Sequence, residues 1–168
     1  MRTRSLGFSM ALLIFGLDQL AKWVVTGPLQ LREVGQVVLL PIFNLTYTEN
    51  NGISLGLLNA TNPVMLVTLT GAIAIGVAYW IGKEKNRFDQ LALGMVLGGA
   101  LGNIFDRVRF GYVVDFADLH FGDFRPFLVF NVGDAAISIG VAILLLRAFL
   151  TRKERTEGEK PGETIEHA

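Results

Sequence analysis

The chain has 168 residues, of which 51% are apolar and 18% charged, with 15 basic residues balancing 15 acidic ones. Soluble domains average about 25% charged residues, so this balance and a mean hydropathy of +0.46 exclude a disordered chain and leave no basic excess for binding nucleic acid. There is no Cys, which excludes disulfides, thiolate nucleophiles, Cys-ligated zinc and iron–sulfur clusters, and the two His, His120 and His167, are too few for a His-rich metal site.

A bilayer-spanning helix needs about 20 mostly apolar residues. The first such run is about 7–25, where Asp18 and Lys22 are the only charges. Arg2 and Arg4 precede it as in a signal peptide, but no small-x-small cleavage site follows, so it reads as a retained helix. The next segment, to Asn62, is long for a turn. It contains Val37–Leu40 and Phe43–Thr48, rich in β-branched and aromatic residues and separated by Pro41, which predicts a small sheet or cradle on the membrane surface over about 28–60. Pro63–Gly82 carries no charge and no polar face, and predicts a second span. A third span covers about 90–107, with Asp106 and Arg107 at its rim. Within it, Gly94, Gly98 and Gly102 recur every four residues, a spacing that lets another helix approach closely.

An outer loop follows over about 109–130, with Phe110, Phe116, Phe121, Phe124 and Phe127 as interfacial anchors or as a groove for a lipid-bearing substrate. The fourth span, about 132–150, holds one charge, Asp134. Residues 151–168 are polar and predict a disordered cytoplasmic tail. The fold class is therefore a mainly α membrane protein: one membrane-embedded domain over 1–150 with four transmembrane helices, a small β-cradle, an outer loop and a tail.

Four spans put both ends on one side. That side carries Arg2, Arg4, Lys83, Lys85, Arg87, Arg147, Arg152, Lys153, Arg155 and Lys160, whereas the opposite loops carry only Arg32, Arg109 and Arg125. The positive-inside rule then places both termini in the cytoplasm. In that orientation Asp18 and Lys22, then Asn103, Asp106 and Arg107, then Asp115 and Asp134 all gather at the outer membrane face. Ionisable groups at membrane depth cost roughly 2.5–3.5 kcal/mol each on insertion scales and mark function by default.

Three chemistries compete for this cluster. Gly52-Ile53-Ser54-Leu55-Gly56 matches G-x-S-x-G, but the nucleophile elbow needs a His partner, and nothing ties His120 or Lys22 to Ser54. Zinc has no H-E-x-x-H, only His120 near Asp118 and Asp123. Paired carboxyls remain: two Asp that share a proton can activate water with one and donate to a carbonyl oxygen with the other. Of Asp18, Asp106, Asp115, Asp118, Asp123 and Asp134, the candidate pair is Asp115 with Asp134, although spacing alone does not bring them together. The others have bland readings. Asp18 and Lys22 make an i,i+4 helical pair. Asp106 pairs at a helix end with Arg107, Asp118 and Asp123 are solvated, and Asp134 is a first-turn acid behind an Asn131 N-cap. A non-enzymatic alternative is a four-span proton or solute pathway, which would need polar groups in the inner half of the bundle as well. A third class, a structural subunit, would tolerate substitution of Asp115 and Asp134.

Five stretches in order raise a resemblance. They are Asp18–Lys22, Asn50–Gly56, Gly98–Arg107, Val113–Phe116 and Phe130–Ala136. Over about Leu6 to Leu150 the chain resembles the bacterial lipoprotein signal peptidases (signal peptidase II). The resemblance implies an inner-membrane aspartyl endopeptidase that acts on diacylglyceryl prolipoproteins, cuts just before the lipidated Cys, and works near the periplasmic face with no metal or organic cofactor. It implies catalytic roles for Asp115 and Asp134, and supporting roles for Asp18, Lys22, Asn50, Gly52, Gly99, Asn103, Arg107, Asn131 and Ala135. It also implies membrane lipid as surroundings and cyclic peptide antibiotics as inhibitors. Two positions depart from the family pattern: Ala21 where Ser or Thr is frequent, and Gly133 where Ala is usual.

Overall fold

The computed structural model describes residues 4–52 and 63–158. In chain order it forms α1 (Arg4–Thr26), a one-turn α2 (Leu31–Val34), β1 (Gln36–Leu40), β2 (Phe43–Asn50), α3 (Pro63–Lys83), α4 (Arg87–Phe110), β3 (Val113–Leu119) and α5 (Val132–Gly158). Among the described residues four helices, α1, α3, α4 and α5, are long and apolar enough to cross a membrane. The predicted spans are therefore present, with two boundary changes. Helix α4 begins at Arg87, where Asn86 caps it by accepting from the backbone N–H of Phe88 at 2.9 Å. Helix α5 runs on to Gly158, so the polar stretch expected as a disordered tail starts as helix.

Burial is inverted relative to a soluble bundle. Leu12, Trp23, Ile75 and Leu146 are exposed on the outside, as lipid-facing residues must be, whereas the interior is built from small residues. A Cβ on Gly94, Gly98 or Gly99 would collide with the backbone oxygen of Gly7, Ala11 or Gly133 respectively, so α4 packs backbone to backbone against α1 on one side and α5 on the other. Ala11, Ala74, Ile81, Leu93 and Leu97 form the apolar core of the span region. At the end away from the sheet, buried Gln90 accepts from the N–H of Gly7 at 3.1 Å and donates to the carbonyls of Ile81 and Glu84 at 2.8 and 2.9 Å. One amide thus satisfies groups orphaned at the start of α1 and the end of α3.

The cradle is a three-stranded antiparallel sheet in the order β1-β2-β3. Its third strand lies within the segment expected to be a loop. Gly111, at φ +85°, ends α4 with its N–H on the Arg107 carbonyl and turns the chain into β3. A bulge between Leu45 and Thr48 shifts the β2–β3 register, so that Thr48 faces Asp115 and Asn50 faces Val113. A second apolar cluster, Val25, Leu31, Phe116 and Ala117, ties the sheet to the end of α1. Ala21 packs against it, so the missing hydroxyl at this departure leaves a side chain suited to its surroundings.

Candidate active site

At the sheet end of the bundle, residues from α1, β2, α4, β3 and α5 form one hydrogen-bonded network. Gly99, Asn103 and Arg107 lie on one stripe of α4, four residues apart. On α5 the predicted cap is present and reciprocal: Asn131 Oδ1 accepts from the N–H of Asp134 at 2.9 Å, and Asp134 Oδ2 accepts from the N–H of Asn131 at 3.3 Å. This Asn-x-x-Asp capping box fixes the Asp134 carboxyl at the positive end of the helix.

Asp115, on β3, is 1% exposed. Its Oδ1 accepts from Asn131 Nδ2 at 2.6 Å and its Oδ2 from Asn50 Nδ2 at 2.9 Å. Asp134 Oδ1 accepts from Asn103 Nδ2 at 2.8 Å, and Asn131 Nδ2 also reaches Asn103 Oδ1 at 3.1 Å. The two carboxyls expected to pair are thus linked through Asn131, whose side chain donates to Asp115 and whose backbone N–H donates to Asp134, and Asn103 braces that link by joining Asn131 to Asp134. Burial, and then the charge of Asp134, push the Asp115 carboxyl up to about 6, against the lowering effect of the Asn50 and Asn131 bonds and of Lys22.

Beneath the pair sits a buried cationic cluster. Lys22 Nζ lies 2.7 Å from Asp18 and 2.8 Å from Asp106, and donates to Asn103 Oδ1 at 3.3 Å. The expected Asp18–Lys22 pair is present. Asp106 does not pair with its neighbour Arg107; its partners are Lys22, Gln19 at 2.9 Å and the N–H of Val114 at 3.1 Å. Adjacent helical residues point in different directions, so sequence neighbours were the wrong guide. Asp18 Oδ1 in turn accepts from the N–H of Gly133 at 2.9 Å. A side chain at Gly133 would press on the Gly99 carbonyl at 3.0 Å, so this departure eases the α4–α5 approach. Arg107 donates to the Asn103 carbonyl at 3.5 Å, with Asp134 and Asp115 within electrostatic reach. Four carboxyls and two cations share this volume. That excess of negative charge opposes ionisation of Asp115.

Gly52, at φ +83°, follows Asn50 and donates its N–H to Asn50 Oδ1 at 2.8 Å; a Cβ there would come 3.6 Å from the Arg107 guanidinium. Ala135 lines a groove of about 260 Å³ with Phe127, Phe130, Asp134, Ser138 and Ile139, so one wall is apolar and Asp134 opens into it. Every supporting residue expected from the sequence therefore converges here. Gln19 was missed; its bond to Asp106 joins α1 to α4 across 87 residues and has no signature in the sequence. Asp118 is corrected from solvated to buried, since Arg125 at 3.1 Å and Thr46 at 3.1 Å hold it in the sheet. Ser54 lies outside the described residues. Among the described residues, those buried between this site and Gln90, including Ala11, Ala74, Ala92, Leu93, Leu97 and Ala136, are apolar.

A four-span membrane bundle with a buried carboxyl, Asp115, linked through Asn131 to a second, Asp134, that opens into a groove has the makings of a membrane-embedded aspartic hydrolase. The signal peptidase (SPase) II family model matches residues 10–150, and the chain belongs to that family, as an aspartic-type signal peptidase. It is 53% identical to the lipoprotein signal peptidase of Sphingopyxis alaskensis over 160 residues, covering 94% of this chain and 89% of that one. It is 51% identical to the enzyme of the same name from Rhizorhabdus wittichii, covering 93% and 92%. A bacterial membrane enzyme solved by the in meso method at 2.3 Å resolution superposes with a TM-score of 0.76 at 28% identity, covering 94% of this chain and 93% of that one.

Proposed function

We propose that the chain removes signal peptides from diacylglyceryl-modified prolipoproteins, cutting just before the lipidated Cys, by water activation at Asp115 and Asp134. The observation that carries this reading is the link between the two carboxyls through Asn131, braced by Asn103, with Asp115 raised to about 6. A pair holding one proton has an ionised member to take a proton from water and a protonated member to donate to the scissile carbonyl oxygen. The tetrahedral intermediate then collapses as the amine leaves, taking a proton from the pair. The step runs on two carboxyls and needs no metal.

Asn103 and Asn131 act as positioning residues, and Arg107 beside Gly52 serves the substrate backbone. Asp18, Lys22 and Asp106 hold α1, α4 and α5 in register. The apolar signal helix runs in the bilayer, and the groove of Phe127, Phe130 and Ile139 accommodates apolar substrate groups next to Asp134. A cyclic peptide antibiotic occupying that groove would compete with substrate. The bias of basic residues supports an inner-membrane protein with cytoplasmic termini and a periplasmic site. In that orientation the diacylglyceryl chains stay in the outer half of the bilayer.

The test is cleavage of a purified diacylglyceryl prolipoprotein in detergent by wild type, Asp115→Asn and Asp134→Asn. Wild type is expected to cleave, and each variant to lose at least about a thousandfold in rate, as for a displaced acid–base group. A folded wild type that leaves the lipid-modified substrate intact, or an Asp134→Asn protein with normal turnover, refutes the reading.

A further inference from the structure

Two cavities lie along the seam between α1 and α4, and neither shares a residue with the groove beside Asp134. The first, about 450 Å³, is a trough lined by apolar residues, among them Leu12, Phe15, Leu97, Leu101, Phe105 and Val108. The second, about 320 Å³, opens at the sheet end and is lined by Trp23, Arg32, Tyr47, Arg109 and Tyr112, with Lys22 and Asp106 of the buried cluster. The spacing joins them. On α1, Leu12, Phe15, Gln19 and Trp23 fall on one stripe at intervals of three and four, and on α4 Leu101, Phe105 and Arg109 do the same. Phe15 and Phe105 meet edge to face within the trough, and Val108 carries its lining to the residue before Arg109 of the mouth. A single extended molecule can therefore occupy both.

The mouth lining carries Lys22, Arg32 and Arg109 against one carboxylate, Asp106, with Glu49 held beside it by Arg32 and Tyr47. Arg109 lies over the Phe110 ring at 4.8 Å and has no carboxylate partner among the described residues. Arg32 meets Glu49 at 3.0 Å in an exposed pair, which is weak and easily exchanged for a stronger acceptor. Asp106, the one carboxylate in the lining, is 1% exposed and already holds Lys22, Gln19 and Val114, so it cannot receive a headgroup ammonium. Trp23, 61% exposed, and the hydroxyls of Tyr47 and Tyr112 supply the amphipathic rim that sits at headgroup depth.

We propose that this seam binds an anionic glycerophospholipid, with its phosphate between Arg32 and Arg109 and an acyl chain in the trough. The inference is independent of the peptidase reading, because it uses a different face and its test does not measure cleavage.

The chain has two Trp, so Trp80→Phe leaves Trp23 as the sole indole, set in the mouth. The full-length protein is placed in phosphatidylcholine bilayers, and chain-brominated phosphatidylglycerol or chain-brominated phosphatidylcholine is titrated in while Trp23 quenching is read. Preference for phosphatidylglycerol is expected at roughly fivefold per arginine. Arg32→Ala with Arg109→Ala should bring the ratio to one, whereas Arg109→Lys, which keeps the charge, should retain most of it, separating lost charge from misfolding. Equal quenching by both lipids in wild type overturns the proposal, as does an undiminished preference in the double variant. Excess inorganic phosphate at constant ionic strength should leave quenching unchanged; displacement of the lipid by it assigns the mouth to a free phosphate and refutes the lipid site.

Discussion

Replacing Asp115 by Asn should make the protein more stable at neutral pH while abolishing cleavage, and the stability gain should vanish in acid. In the folded chain the Asp115 carboxyl stands at about 6, against 3.8 in the unfolded one. Below pH 3.8 both states are protonated and the site costs nothing. Above pH 6 both are ionised, and the folded state bears the full difference, about two pKa units or roughly 3 kcal/mol. Between these limits the folded state holds the extra proton, so wild-type stability falls as pH rises. The Asn variant has no such titration. It meets another mismatch, since Asn50 and Asn131 both point donors at this side chain and an amide can accept from only one of them. That mismatch costs about 1–2 kcal/mol. The net expectation is a variant more stable than wild type by roughly 1–2 kcal/mol at pH 7.5 and slightly less stable near pH 4. Reversible unfolding of both proteins in mixed micelles at several pH values measures the difference, and contributions from groups that do not interact with Asp115 cancel. A difference that stays flat from pH 4 to 7.5 would mean that Asp115 is not held above its ordinary range, and the shared-proton argument would fall with it.

Other perturbations follow from the same contacts. Asn50→Ala removes a bond that lowers the Asp115 pKa, so the alkaline limb of kcat/KM, set by loss of the shared proton, should move to higher pH in a full pH profile. Lys22→Met leaves Asp18 and Asp106 buried without their cation and should cost about 3–5 kcal/mol. Adding Asp106→Asn should recover part of that loss in the same unfolding assay, and no recovery would contradict the ion cluster. Gly99→Ala pushes a Cβ onto the Gly133 carbonyl and Ile137; the overpacked seam should lose about 1–3 kcal/mol and displace Asp134, lowering turnover as well.

The spans were readable because their evidence is composition over twenty residues, which no local detail overrides. Strand β3 was not. Val113–Leu119 is buried at six of its seven positions, so it lacks the alternation of a half-exposed strand, and two aspartates interrupt what would otherwise read as an apolar run. The same two residues explain the error at Asp118: its cation, Arg125, stands seven residues away and meets it only because the chain folds back from β3. Asn131 was expected as a helix cap, and that is what its Oδ1 does. Its second role, donating Nδ2 to Asp115 and Asn103, depends on three elements meeting and has no signature in spacing.

The central position of α4 also dictates an order of assembly. Helices α1 and α3 enter the membrane before α4 and rely on it for their packing, since its glycine-lined face receives α1 and Ile81 of α3 shares a core with its Leu93 and Leu97. The ion cluster closes when α4 arrives, but Asp18 still lacks the Gly133 N–H, and Asp115 lacks Asn131, until α5 is in place. Helix α5 follows α4 and β3 in the chain. A nascent chain that has inserted α4 therefore holds Asp115 without Asn131 or Asp134, and the proposed aspartate centre comes into being in a single late step, when the chain is already anchored in the bilayer.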